Sequence, residues 1–312
     1  MSPSHDDLLD ELRPAAFAIA YRMLGSVAEA EDVVQEALVR VHRALEAGEQ
    51  IESPRAYVAT IATRLAIDQL RSARARRESY VGEWLPEPLV SDAPGGLAGD
   101  PARAAEMADS LSLAFLVVLE SLSPEQRAAL LLHDVFDYGY DEVAAIVGKS
   151  PDNARQLAAR ARRHVEERRP RFESSRQQRD ELARRFFAAA QEGDLAGLES
   201  LLASDVVLHG DGGGKVPALA RSVSGRARVA RTLRAWTRQG ARIAGAVMRE
   251  VSVNGQPGVM VLDGSGHVIS VMALEIADGE IRAVHSIVNP EKLGHVGPVA
   301  EVGALLGRRG RG

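Results

Sequence analysis

The stretch DEVAAIVGKSPDNARQLAARARRHVE, residues 141–166, decides how the first half of this 312-residue chain is read. Asp141 and Glu142 suit the positive end of a helix, and Val143, Ala144 and Val147 recur at helical spacing. Gly148 marks a tight turn, because glycine enters the left-handed region at little cost. Ser150-Pro151 reads as the N-cap and first residue of a second helix. Ala154, Leu157, Ala161 and Val165 take its inward positions, leaving Asp152, Asn153, Arg155, Gln156, Arg160 and Arg163 to point outward. That is the layout of a helix-turn-helix, whose second helix offers its N-terminal residues to base edges in the major groove. Asn and Gln can pair with adenine, Arg with guanine, and the later arginines with phosphates. An ordinary helical hairpin with a solvated arginine face has the same pattern, so the segment alone leaves both readings open.

Upstream, the chain reads as further helices. Ser26 and Glu29 form a capping box before Val33, Val34, Ala37, Leu38 and Val41. Ser53-Pro54 starts a second helix with Val58, Ile61, Leu65 and Leu70 inside and Arg64, Asp68 and Arg71 outside. Ser123-Pro124-Glu125-Gln126 opens another. Between them, Trp84-Leu85-Pro86-Glu87-Pro88, Asp92-Ala93-Pro94-Gly95-Gly96 and Gly99-Asp100-Pro101 break helical periodicity, so residues 81–106 are a linker anchored by Trp84-Leu85.

Charge supports that division. The net charge of −5 excludes a simple polybasic binder, but it hides a segregated pattern. Residues 55–78 carry Arg55, Arg64, Arg71, Arg74, Arg76 and Arg77 against Asp68 and Glu78. Residues 155–171 carry seven arginines against Glu166 and Glu167, whereas 83–109 are acidic with Arg103 alone opposing. There is no cysteine, which excludes disulfides, thiol catalysis and cysteine-based zinc sites. No window approaches the ~20 apolar residues of a membrane span, so a soluble cytoplasmic protein without a membrane partner is expected.

After Asp180 the pattern changes. Helical runs at Leu182–Ala190 and Leu195–Leu202 precede strand signatures at 206–208, 247–253, 259–262, 268–276 and 281–288. Asn254-Gly255, Asp263-Gly264 and Asp278-Gly279 separate them as turns. This order predicts an α+β domain with a sheet wrapped on helices, ending in a flexible tail at Gly307–Gly312. Asp211-Gly212-Gly213-Gly214-Lys215 is not a phosphate-binding P-loop, which would need glycine at His209 and Ser or Thr at Val216. It reads as a turn that brings Asp211 and Lys215 to a neighbouring surface, or as a plain loop.

Longer motifs then carry a resemblance. Leu122-Ser123-Pro124-Glu125-Gln126-Arg127, with the helix-turn-helix and Arg160-Ala161-Arg162, resembles region 4 of extracytoplasmic-function (ECF) sigma factors, which reads promoter −35 elements. Ala30-Glu31-Asp32-Val33-Val34-Gln35-Glu36-Ala37, Pro54-Arg55-Ala56-Tyr57 and Ile61 to Arg71 resemble their region 2. Two modules in this order, over residues 6–170, are more specific than either alone. The continuation resembles a SnoaL-like domain of the nuclear-transport-factor-2 (NTF2-like) superfold, with a sheet and helices around a conical cavity. Trp84–Pro88, Asp211–Lys215 and Asn289-Pro290-Glu291-Lys292-Leu293 together resemble signatures of the ECF41 (sigma-J-like) group, whose fused C-terminal domain regulates the sigma core.

The resemblance implies a multidomain fold: two all-α modules, a sigma2 helical bundle and a sigma4 helix-turn-helix, then an α+β NTF2-like cone domain. Boundaries are expected at 6–80, 81–106, 107–170 and 178–293, with a tail at 294–312. It implies an initiation factor binding RNA polymerase core (β and β′ subunits) through Asp32, Val33, Gln35, Glu36 and Arg40. The −10 element would meet Tyr57, Arg64, Asp68, Arg71, Arg74, Arg76 and Arg77. Many relatives have Asn at Arg64 and Trp near Tyr57; tyrosine can still stack on an unpaired base, and arginine can contact backbone or a base plane. The −35 element would meet Asp152, Asn153, Arg155, Gln156, Arg160 and Arg163. Trp84, Leu85, Pro86, Asp211, Gly212, Gly213, Gly214, Lys215, Asn289, Pro290 and Lys292 would make the regulatory contacts. No cofactor or metal is expected, the protein is expected to be monomeric, and its cavity is a candidate site for a small-molecule signal. Two competitors stand beside this reading. A stand-alone helix-turn-helix regulator with a sensing cavity leaves residues 6–80 without a role. An enzyme with a DNA-binding tether would draw its base from His209, Asp211, His267 or His285, and needs Asp211 and His285 in one pocket.

Overall fold

The computed structural model describes residues 5–78, 80–92, 110–167 and 175–303. Most of the acidic linker, the tail expected at Gly307–Gly312 and the side chains of Arg74, Arg76 and Arg77 lie outside the described residues. The chain divides into two compact units, Met1–Ser79 with Phe115–Arg169, and Tyr80–Ala114 with Pro170–Gly312.

In the first unit, α1 (His5–Leu24), α2 (Val27–Glu46) and α3 (Pro54–Glu78) pack pairwise. Small and branched side chains (Ala16, Ala20, Val34, Ala37, Ala62 and Ala66) close the contact with no exposed surface. The capping residues act where the sequence places them: Ser26 Oγ accepts from Glu29 N–H at 3.2 Å, and Ser53 Oγ from Ala56 N–H at 3.3 Å. Leu113–Leu119 forms α4 and Pro124–Leu130 forms α5, the latter opened by a complete Ser123/Gln126 capping box and continued by a π-helical turn at Leu131–Val135. The helix-turn-helix follows as α6 (Tyr140–Val147) and α7 (Pro151–Glu166). Arg127 is buried at the α5 start, donating to Glu120 at 2.9 Å, to the Leu119 carbonyl at 2.7 Å and to the Met23 carbonyl. Burial pushes its pKa down to about 9, which leaves the guanidinium charged at neutral pH.

In the second unit, α8 (Arg176–Glu192) and α9 (Leu195–Leu201) lead into β2 (Leu202–Asp211), and β3 (Val223–Ser224) precedes α10 (Arg226–Gly240). The strands β4 (Val247–Val253), β5 (Gln256–Leu262), β6 (Val268–Ala277) and β7 (Glu280–Ile287) form a meander. With β1 (Val90–Ser91) they make a seven-stranded sheet among the described residues, ordered β1-β4-β5-β6-β7-β2-β3, with β2 and β7 parallel. Phe186, Leu198, Leu208, Leu233, Leu274 and Val284 join the three helices to one sheet face. The Asn254-Gly255 and Asp278-Gly279 turns have positive φ at both residues, as two-residue hairpins require. The Asp263-Gly264 loop differs: its left-handed residue is Gly266, and Asp263 Oδ1 accepts from the Ser265 and His267 N–H groups.

Three elements were not anticipated. Helix α10 buries Val229, Ala230 and Leu233 and packs Trp236 against the core, a spacing the sequence carries. The two-residue strands β1 and β3 carry no period. Strand β1 exists because Val90 and Ser91 pair with Val253 and Ser252 at the sheet edge, while Asn254 Oδ1 accepts from Leu89 N–H at 2.9 Å.

Candidate nucleic-acid interface and the Asp211 junction

Between α6 and α7, Gly148 has φ 68° and Ser150 Oγ accepts from Asn153 N–H at 3.3 Å. Ala154, Ala158, Ala161 and Val165 of α7 are buried, Ala154 and Ala158 in one cluster with Ala129, Val143 and Ile146 of α5 and α6. Ala158, outside the inward set expected from the sequence, is fully buried, whereas Leu157 is only partly buried. Asp152, Asn153, Arg155, Gln156, Arg160 and Arg163 are all exposed. Arg155 is held by Asp152 at 2.9 Å and lies over the Tyr140 ring, 5.5 Å from its centroid. Arg162 points elsewhere and grips Asp134 with two nitrogens, anchoring α7 to the preceding turn.

On α2, Asp32, Gln35, Glu36 and Arg40 are exposed, with Glu36 and Arg40 paired at 2.7 Å. Val33, grouped with them on sequence, is 3% exposed and packs into the helical core, one residue too far round the helix to join that surface. On α3, Tyr57 is half-buried. Arg64 donates to the Ala145 carbonyl at 2.8 Å and the Ile146 carbonyl at 3.1 Å, the unsatisfied end of α6. Arg71 pairs with Glu125 at 2.6 Å and Asp68 at 3.3 Å. Two side chains expected to face DNA thus hold α5 and α6 in this state.

The second unit brings three separated motifs to one carboxylate. Asp211, fully buried, accepts from four donors: Tyr80 hydroxyl at 2.6 Å and Gly213 N–H at 3.0 Å on Oδ1, Leu85 N–H at 2.8 Å and Lys292 Nζ at 2.7 Å on Oδ2. Lys292 also donates to the Leu85 carbonyl and sits 4.3 Å from the Trp84 ring centroid. Asn289 Nδ2 donates to Tyr80 at 2.9 Å, and its Oδ1 accepts from Glu291 N–H across Pro290 at 3.1 Å. Burial and the Asp211 carboxylate hold the Tyr80 phenol well above its ordinary range, so it remains a donor. Leu85 and Pro86 are buried beside them. Gly213 (φ 59°) and Gly214 (φ 69°) are required twice over: a Cβ would lie 2.3 Å from Asn289 Nδ2 and 2.9 Å from Val81 Cβ respectively. A Cβ on Gly212 would lie 2.6 Å from Ala218 Cβ. Lys215 does not reach Asp211; it pairs at the surface with Glu291 at 3.0 Å. The unforeseen members are Tyr80 and Val81, which precede the recognisable motif.

Residues 8–76 match the Sigma-70 region 2 family, 112–165 the Sigma-70 region 4 family, and 183–287 the SnoaL-like domain family. The ECF RNA polymerase sigma factor SigJ of Mycobacterium tuberculosis is 39% identical over 292 residues, covering 91% of this chain and 91% of that protein. The chain belongs to the extracytoplasmic-function RNA polymerase sigma factors. SigG of the same organism is 32% identical over 218 residues, 62% of this chain and 58% of that protein. The crystal structure of the M. tuberculosis ECF sigma factor SigJ superposes with TM-score 0.73 at 34% identity, covering 93% of this chain and 98% of that one. In this sigma factor, region 2 therefore spans α1–α3, region 4 spans α4–α7, and the SnoaL-like match spans most of α8 to β7.

None of the four candidate bases, His209, Asp211, His267 and His285, lines the cavity of about 540 Å³ in this unit. Asp211 is enclosed by its donors, and His267 pairs with Asp263 at 3.4 Å. His285 stacks on His209 at 5.0 Å, with Glu275 at 3.5 Å from His285 and Glu83 at 2.6 Å from His209. That cavity opens on the face of β7 opposite His285, lined there by Ser286 and, just past the strand, by Val288. No described helix is long and apolar enough to cross a membrane.

Proposed function

We propose that this ECF sigma factor initiates transcription by joining RNA polymerase core to promoter DNA, and that its C-terminal unit modulates that activity. Core polymerase, through its β and β′ subunits, is met by Asp32, Gln35, Glu36 and Arg40 on the exposed face of α2. The −10 element is opened and read by α3, through Tyr57, Arg64, Asp68, Arg71, Arg74, Arg76 and Arg77. Arg64 and Arg71 do so after leaving Ala145, Ile146 and Glu125. The −35 element is read by Asp152, Asn153, Arg155, Gln156, Arg160 and Arg163. These six residues, exposed together on a helix whose opposite face is core, are the observation that carries the reading. The net charge of −5 fits a factor that leaves much of the phosphate contact to the polymerase.

The regulatory part rests on the junction around Asp211. Residues 80–91 run directly out of α3 and along the chain towards α4, so whatever holds them holds the connection between regions 2 and 4. Trp84, Leu85 and Pro86 are held through Asp211, Asn289, Pro290 and Lys292, with Gly212, Gly213, Gly214 and Lys215 shaping the loop. The proposed working boundaries are 6–80, 81–106, 107–170, 178–293 and 294–312, in a monomeric cytoplasmic protein whose SnoaL-like unit has no catalytic role. Purified full-length protein with core polymerase should start transcripts at promoters selected genome-wide that core alone ignores. No core-dependent start at any promoter would overturn the proposal.

A further inference from the structure

The SnoaL-like unit encloses a cavity whose walls say what it takes. Phe186, Phe187, Trp236, Met248, Val261 and Met272 supply apolar surface, and the volume of about 540 Å³ falls within the roughly 300–1,000 Å³ of small-molecule sites. No Asp, Glu, Lys, Arg, His or Tyr lines it among the described residues. A charged guest would lose its hydration there without gaining a counter-ion. The wall has two buried exceptions. Ser270 and Ser286 are 8% and 3% exposed, line the cavity, and have no side-chain hydrogen bond among the described residues. A hydroxyl can donate to a carbonyl or accept from an alcohol, so each is a partner in waiting for one neutral polar group.

One wall is made by the C-terminal segment. Val268 N–H donates to the Pro298 carbonyl at 2.7 Å and Ala300 N–H to the Val268 carbonyl at 2.9 Å, placing Val302 in the lining. Another wall is the back of the Asp211 junction. Gly210 and Ser286 are register partners in parallel strands β2 and β7, and both line the cavity, as does Val288. The next residue on each strand, Asp211 or Ile287, turns to the opposite face. Val288 and Asn289 N–H groups donate to the Asp211 carbonyl at 2.8 and 3.0 Å, tying the two strand ends together. A molecule pressing on Ser286 and Val288 therefore presses on the backbone that positions Asp211 and Asn289.

We propose that this cavity binds a neutral, mainly apolar small molecule carrying a hydroxyl or carbonyl for Ser270 and Ser286, and that its occupancy is transmitted to the Asp211 junction. The binding claim stands by itself; its transcriptional consequence rests on the proposed modulating role of the C-terminal unit. The test uses full-length protein and two dyes, neutral Nile red, which has a carbonyl, and anionic 1-anilinonaphthalene-8-sulfonate. Nile red should bind saturably at one site per chain and quench Trp236. Ala246→Phe, which puts a ring into the cavity wall, should weaken it at least ~10-fold, matching the loss of a buried apolar contact of a few methylene groups. Because that variant risks the fold, Ser270→Ala and Ser286→Ala form the second arm, with an expected loss of about 2- to 10-fold each. The sulfonate should bind at least ~10-fold more weakly than Nile red.

Saturation with Nile red should also change amide exchange in residues 80–91 by about 5-fold or more. Absence of saturable binding, indifference to all three substitutions, or equal binding of the sulfonate overturns the cavity assignment. Unchanged exchange at 80–91 overturns the transmission. Ending the chain at Gly303 should leave affinity unaltered; a ~10-fold gain would make the chain's own tail the occupant and overturn the small-molecule assignment. Initiation measured without dye reports on the proposed function alone, so the two failures are separable.

Discussion

Asp211 gathers polar groups from separated segments of the second unit onto one buried carboxylate. Its four donors come from the 80–85 segment, from its own loop and from the segment after β7. A buried ion pair contributes modest net stability, but removing one partner strands the other, at a cost of about 3–5 kcal/mol. Asp211→Asn should therefore lower the unfolding free energy of the C-terminal unit by about that amount, because Lys292 keeps its charge without a counter-ion. Adding Lys292→Met should recover part of the loss, since neither charge then remains. Urea unfolding of the three proteins checks this, and a change below about 1 kcal/mol for Asp211→Asn would contradict it. The motifs around this carboxylate could be recognised in the chain as three short signatures. Their pairing could not, because Lys215 is adjacent in sequence but Lys292 is adjacent in space. Tyr80 is not legible in the chain, because an isolated tyrosine after a helix belongs to no pattern.

Helix α7 was readable because its two faces differ in kind. Alanines and a valine repeat at helical spacing inside, and all six predicted polar residues emerged on the exposed side. The same period read on α2 puts Val33 inside, where it lies; the contact set implied by the family motif includes it only because a run of contiguous residues ignores the 100° step between neighbours. On α3 the period placed Arg64 and Arg71 outward, yet their partners, the α6 carbonyl end and Glu125, depend on how helices dock. Strand β1 was hidden for the same reason, being defined by pairing with β4. Two substitutions on α7 separate its tasks. Arg155→Ala should relax base preference at one −35 position by about 1–3 kcal/mol, while Arg160→Ala should weaken all sequences alike and reduce the salt slope by about one. Competition among single-base promoter variants at several salt concentrations gives both numbers. Identical profiles for the two variants would remove the division of labour.

Over the entire chain, the order of modules was evident from charge segregation and from the change of periodicity after Asp180. The membership of residues 80–92 was not. Proline content marks them as non-helical, and only the structure assigns them to the same compact unit as the C-terminal sheet. In the proposed function, that assignment is what lets the SnoaL-like unit act on the connection between regions 2 and 4. The most direct test is in vitro transcription from a cognate promoter with core polymerase, comparing the full chain, a chain ending at residue 175 and Asp211→Asn. The account predicts that both variants alter transcript yield in the same direction, by about five-fold or more. Equal yields from all three proteins would contradict it.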